Sequence, residues 1–225
     1  MSWWDGPWYW IGVMGAAFLA LFALADLLRY LTKRPEPGRK LAHVGTGLLA
    51  LCFPAVFAES WPVYLLCGAF VVMLVASQRR GFWEGINGVE RKTHGSVAFP
   101  LAVAALWWAS GALHHPAVYA LPLGVLTLAD PAAALVGQNW PLRRFRVFSA
   151  DRSVGGTAAF FVVALVASGL LSWLGLAPSA TAGVTVAVAL VTTVAETLSQ
   201  RGWDNFWIPI TGAAVVLLAG QHAWV

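Results

Sequence analysis

Charge is what this chain has least of, and its scarcity excludes whole classes of protein. Only 11% of the 225 residues are Asp, Glu, Lys or Arg, against 59% hydrophobic residues. A soluble domain carries roughly 25% charged residues, so no soluble domain of useful size can be cut from this chain. Cysteine is almost absent. Cys52 and Cys67 both fall in apolar runs, which argues against a disulfide framework or a thiolate metal cluster and leaves them as core filler. The opening Met1-Ser2-Trp3-Trp4-Asp5 lacks a basic region, so no cleaved signal peptide is expected and the first apolar run is read as a retained helix. No fixed-period repeat is evident. The net charge of +4 does not argue for nucleic acid, because basic residues in so apolar a chain report topology.

What is abundant is apolar sequence in lengths that suit a bilayer. Eight segments are long enough, or nearly so, to span: 7–31, 41–57, 61–77, 95–111, 116–137, 155–175, 180–198 and 205–223. Every one of the fourteen Lys and Arg residues falls in alternate connections or at their edges, from Arg29 to Arg201. The intervening connections, around Glu59, His114-His115 and 175–178, hold none. By the positive-inside rule the basic side is cytoplasmic. The expectation is an all-α polytopic membrane protein, one integral domain over 1–225, with about eight transmembrane helices and both termini outside. Trp3, Trp4, Trp8, Trp10, Trp61, Trp107, Trp108, Trp173 and Trp224 sit at the expected outer ends, where an interfacial aromatic belt accounts for them.

Against this background a few polar residues stand out. Asp130, followed at once by Pro131, lies in an apolar stretch. A charge at membrane depth costs roughly 2.5–3.5 kcal/mol on insertion scales, which makes Asp130 a candidate functional residue. Asp-Pro is also an N-cap signature, so a helix is expected to break and restart here. Arg39, Lys40 and His43 sit three and four residues apart and can share one helix face. Arg91-Lys92-Thr93-His94-Gly95-Ser96 repeats that chemistry, and cations with small and hydroxyl residues suit phosphate. Arg152-Ser153-Val154-Gly155-Gly156-Thr157 opens segment six. Ser153 is placed to cap it, and the glycines predict a helix start whose first amides are open to an anion. Glu196 lies inside segment seven, and Asp204-Asn205 begins segment eight. Asp130, Glu196, Asp204 and the Asn205 oxygen are hard ligands of the kind that hold magnesium together with substrate phosphates. Acids for a metal and cations for phosphates, all on one side of an apolar bundle, describe phosphoryl transfer at a membrane.

These residues resemble the CTP-dependent lipid-alcohol kinases, which include phytol, farnesol and dolichol kinases. The likeness is carried by Arg39-Lys40-x-x-His43, Arg91-Lys92-Thr93-His94-Gly95-Ser96-Val97-Ala98-Phe99-Pro100 and Ala129-Asp130-Pro131 through Gly137. Arg152-Ser153-x-x-Gly156-Thr157, Glu196-Thr197 and Gly202-x-Asp204-Asn205-x-x-x-Pro209 complete it. It covers residues 39 to 209 in the family's order and lies closest to the short phytol-kinase-like branch. Two departures stand: Arg152 occupies a usual lysine position, and Gln138-Asn139-Trp140-Pro141 replaces a glycine and a basic residue.

The resemblance implies transfer of the γ-phosphate of CTP to the hydroxyl of a prenol or related lipid, with Mg²⁺. It puts Asp130, Glu196, Asp204 and Asn205 at the metal, and Arg39, Lys40, Arg91, Lys92, Arg152, Ser153, Gly155, Gly156 and Thr157 at the nucleotide. Asp130, His43 and Glu196 are the candidates for catalysis. The implied partners are a lipid alcohol, CTP and membrane lipids, in a bacterial inner membrane with the site on the cytoplasmic side. A cytidylyltransferase making a CDP-linked lipid is the nearest alternative enzyme. A lipid or ion transporter using Asp130 and Glu196 is the alternative from another class.

Overall fold

A computed structural model describes residues 6–80, 95–178 and 180–221. The described chain is helical apart from one short hairpin. The order is α1 (Pro7–Thr32), α2 (Pro35–Leu51), a single turn α3 (Phe53–Val56), α4 (Trp61–Arg80), α5 (Gly95–Ala112) and α6 (Ala117–Asn139). Antiparallel strands β1 (Arg144–Val147) and β2 (Ala150–Ser153) follow, then α7 (Val154–Trp173), α8 (Ala182–Leu198) and α9 (Asp204–Gln221). Arg91 and Lys92, with Trp3, Trp4 and Trp224, lie outside the described residues.

Five of these helices, α1, α4, α5, α6 and α7, are long and apolar enough to cross a membrane. Of the other expected spans, α8 and α9 are apolar but short. Helix α2 begins earlier than expected, with Pro35 in its first turn, so the charges of Glu36, Arg39 and Lys40 are helical and only the remainder is apolar. The connection between the fifth and sixth apolar segments contains the β1–β2 hairpin.

Helix α6 is the centre of the bundle. Eleven consecutive residues, Ala117 to Thr127, are buried without interruption, as are Ala129, Pro131 and Ala133. A helix apolar on every face belongs in the middle of a bundle, and α2, α5, α7 and α9 pack around it. The expected break at Asp130-Pro131 does not occur. Helix α6 runs unbroken through both Pro122 and Pro131, so Asp130 is a mid-helix residue, not a cap. Proline at 131 removes one ladder hydrogen bond, to the carbonyl of Thr127, and helices within membranes absorb that loss against their neighbours.

Side chains of two outer-end tryptophans point inward instead of forming a belt. Trp107 packs edge-on against Tyr119, with ring centroids 5.4 Å apart, and Trp10 packs on the core. Trp8, Trp108 and Trp173 are exposed.

The approach of α2 to α6 is closer than a side chain permits. A Cβ on Gly47 would lie 2.1 Å from Thr127 Oγ1 and 2.7 Å from Thr127 Cβ. Thr127 is fully buried and its hydroxyl donates to the Leu123 carbonyl at 2.7 Å, so it has nowhere to turn. Gly47→Ala is therefore expected to cost about 1–3 kcal/mol by overpacking. Thermal unfolding in detergent should show this as a lowered midpoint, while Gly68→Ala, where nothing lies within 4 Å of the new methyl, should leave the midpoint level or raised.

Candidate active site

One cavity of about 300 Å³ runs between α1, α2, α4, α5 and α6, and it has two chemically different ends. The polar end is walled by Arg39, Lys40 and His43 of α2, Ser96 of α5, Asp130 of α6, Arg152 of β2, and Asp204 and Asn205 of α9. The helical spacing expected of Arg39, Lys40 and His43 thus holds, and all three face one space. Ser96 accepts from Gln78 Nε2 at 2.9 Å, which ties the start of α5 to the end of α4.

His43 Nε2 lies 3.1 Å from the Leu126 carbonyl and 3.8 Å from Asp130 Oδ2. A carbonyl only accepts, so Nε2 carries a hydrogen and a neutral His43 keeps its lone pair on Nδ1. The two side chains are 13% and 25% exposed. Lys40 Nζ donates to Gln138 Oε1 at 3.4 Å. Gln138 comes from the segment that departs from the family's pattern, and sequence reading did not pick it out as a partner of a site cation. Arg39 pairs with Glu36 at 3.1 Å within α2.

The acids are not equivalent. Asp130 sits near enough to repel both Asp204 and Glu196. Asp204 and Asp130 face the cavity, whereas Glu196 lies behind Arg152 and is not part of the wall. Arg152 Nη1 donates to Glu196 Oε1 at 2.6 Å, and Nη2 donates to the Glu196 and Ser199 carbonyls, both at 2.7 Å. One guanidinium therefore satisfies the end of α8 and partners its buried carboxylate, a geometry for which arginine's planar fork is suited and lysine's point charge is not. Asn205 Nδ2 donates to the Gly95 carbonyl at 2.9 Å, which leaves its side-chain oxygen as the group available to a ligand.

The open amides expected at the start of α7 are instead in use. Val154, Gly155 and Gly156 donate to the Arg143 carbonyl at 2.9 Å, the Pro141 carbonyl at 3.1 Å and Ser153 Oγ at 3.1 Å. Ser153 caps the helix as its position implied, and the two glycines allow a close crossing. A Cβ on Gly155 would lie 2.1 Å from the Trp140 carbonyl oxygen, and one on Gly156 3.0 Å from that of Ala133. Ser153, Gly155, Gly156 and Thr157 are not on the cavity wall. The structure brings Arg39, Lys40, His43, Asp130, Arg152, Asp204 and Asn205 together on one wall, with those four off it.

Among the described residues no group of three or more His, Cys, Asp and Glu side chains is arranged as a metal cage. The donor set fits magnesium in its other mode, in which one or two carboxylates and substrate phosphates share the ion and waters complete it. Asp130, Asp204 and the Asn205 oxygen are the donors on the wall.

Sequence reading missed the other end of the cavity entirely. It is lined by Phe18 and Phe22 of α1, Ala50 of α2, Phe53 of α3, Leu66, Cys67, Phe70 and Leu74 of α4, and Phe99 and Val103 of α5. The α4 residues recur at helical spacing on one face. The signal was hidden because α4 is apolar all round, so no single face stands out in sequence.

A break in the Arg152–Glu196 pair is expected to be costly, because the carboxylate left behind is 6% exposed. Arg152→Met should lower stability by about 3–5 kcal/mol, with much of that recovered in Arg152→Met/Glu196→Leu. Denaturant titration of the two variants against the parent checks it.

No family model matches the chain, and no solved structure matches it. Among curated proteins, a phytol kinase of Synechocystis sp. is 32% identical over 228 residues, covering 96% of this chain and 94% of that protein.

Proposed function

The chain belongs to the family of phytol-kinase-like lipid kinases, and from that premise we propose that it moves the γ-phosphate of CTP to the hydroxyl of a prenol or related lipid alcohol, with Mg²⁺. The observation that carries the reading is the single cavity with charged groups at one end and an apolar lining at the other. An amphiphilic alcohol meeting a triphosphate requires that combination.

In this reading Arg39 and Lys40, with Arg91 and Lys92, neutralise the triphosphate as it docks. Asp130 and Asp204, with the Asn205 oxygen, hold the magnesium, which when bound offsets the charge that develops on the transferring phosphoryl group. His43 is placed to orient the lipid hydroxyl through Nδ1, and Asp130 fixes the ring from the other side. Arg152 presents its charge at the wall, and Glu196 positions it. Catalysis then consists of holding donor and acceptor in line, since phosphoryl transfer leaves little covalent chemistry for the protein.

The positive-inside pattern puts the charged end of the cavity at the cytoplasmic face, with eight spans and both termini outside. That is the face where a nucleotide is available. A bacterial inner membrane is the setting this topology suits.

The test is direct. Purified protein given radiolabelled CTP, Mg²⁺ and a prenol panel should yield prenyl monophosphate and CDP. Asp130→Asn should reduce turnover at least about 10²-fold, the lower range for one positioned catalytic group. Release of pyrophosphate with a CMP-bearing lipid would overturn the kinase reading in favour of cytidylyl transfer, and equal turnover with ATP would overturn the choice of CTP.

A further inference from the structure

We propose that Phe53 sets an upper limit on the chain length of the lipid alcohol, by closing the apolar end of the cavity. This rests on the reading of the site as one for a prenol. It goes further in assigning the limit to one side chain.

Phe53 lines the cavity, but the aromatic rings behind it do not. Phe57 lies 5.5 Å and Trp107 6.5 Å from its ring centroid, both edge-on. Phe53 therefore stands between the cavity and a packed aromatic cluster. It is 2% exposed. The floor is also held from the side, since Tyr119 donates to the Ala50 carbonyl at 2.7 Å and packs on Trp107. That bond pins the end of α2 against the start of α6, so the floor cannot drop without breaking a buried hydrogen bond.

Along α2 and into α3 the wall runs from His43 through Thr46 and Ala50 to Phe53, so Phe53 is the lining residue of that segment farthest along the chain from the charged end.

Removing the ring lets a longer chain run toward Phe57 and Trp107, and enlarging it shortens the space. The experiment compares the parent protein with Phe53→Ala, Phe53→Leu and Phe53→Trp, using geraniol, farnesol and geranylgeraniol. Two readouts are taken: kcat/KM for phosphate transfer, and the rise in melting temperature that each alcohol produces without nucleotide. The parent supplies the reference ratio of farnesol to geranylgeraniol turnover. Phe53→Ala and Phe53→Leu should shift that ratio toward geranylgeraniol by about tenfold for the larger truncation, and Phe53→Trp should shift it toward geraniol.

The melting series keeps this inference apart from the proposed reaction. If the alcohols stabilise the protein in the expected length order but no phosphate moves, the limit at Phe53 stands and the kinase reading falls. If phosphate moves with the same length order in parent and variants, the kinase reading stands and the limit at Phe53 is overturned. If none of the alcohols raises the melting temperature of the parent, the limit is overturned as well. Phe53→Leu and Phe53→Trp keep most of the core volume, so loss of fold in Phe53→Ala alone leaves both outcomes readable.

Discussion

Helix α2 lies against helix α6 at a distance set by one missing side chain, at Gly47. Much of the site follows from that contact. Toward one end of the pair, His43 comes within 3.1 Å of the Leu126 carbonyl and within 3.8 Å of Asp130. Toward the other, Tyr119 reaches across to the Ala50 carbonyl. Between those two fixed points α2 turns its Thr46 and Ala50 positions to a cavity that α1, α4 and α5 enclose. A helix pair held at both ends defines a length as well as a location. The same packing that juxtaposes the catalytic candidates therefore sets how far a ligand can extend from them.

The second constraint is the cost of charge in an apolar surround, which is met here by concentration at one end. Asp130, Glu196 and Asp204 repel one another, and left alone they would be a source of instability. Arg152 answers the most deeply buried of them with a bidentate-like grip that also satisfies two backbone carbonyls. His43 stands beside Asp130. Asp204, on the wall, makes no salt bridge among the described residues, and in the proposed function its counter-charge is the magnesium ion. The arrangement separates a carboxylate that is already neutralised from carboxylates that are still available. This is why Glu196, equal to the others in sequence, is given a supporting part.

How far this was legible in the sequence depended on the kind of signal. Apart from the segment read as 41–57, which is α2 from Pro35 followed by the turn α3, segment ends were readable within a few residues, because apolar runs bounded by charge or proline leave little choice for backbone that must bond to itself. The grouping of Arg39, Lys40 and His43 followed from helical spacing alone. Three things were not readable. Asp-Pro at 130–131 reads locally as a cap, but the packing of α5, α7 and α9 about α6 outweighs one lost hydrogen bond. Gly155-Gly156 reads as an anion cradle, and only the positions of Trp140, Pro141 and Ala133 reveal a close crossing. The apolar end of the cavity was invisible because hydrophobic residues facing a ligand, a helix and a lipid tail are the same residues. Only the fold tells them apart.

The two ends of the cavity also explain why a lipid kinase can be built with so few polar residues. Phosphoryl transfer asks chiefly that the acceptor oxygen be held in line with the phosphorus. A flexible prenol held only by its hydroxyl would sample many directions. One whose tail is confined between α1, α2, α4 and α5 loses that freedom before the chemistry begins. Burial of the tail, at roughly 25 cal/mol per Å², then supplies orientation that would otherwise need further hydrogen bonds. Positioning is thus shared between an apolar wall and a small set of charges, and the scarcity of charge in the sequence is consistent with the reaction it serves.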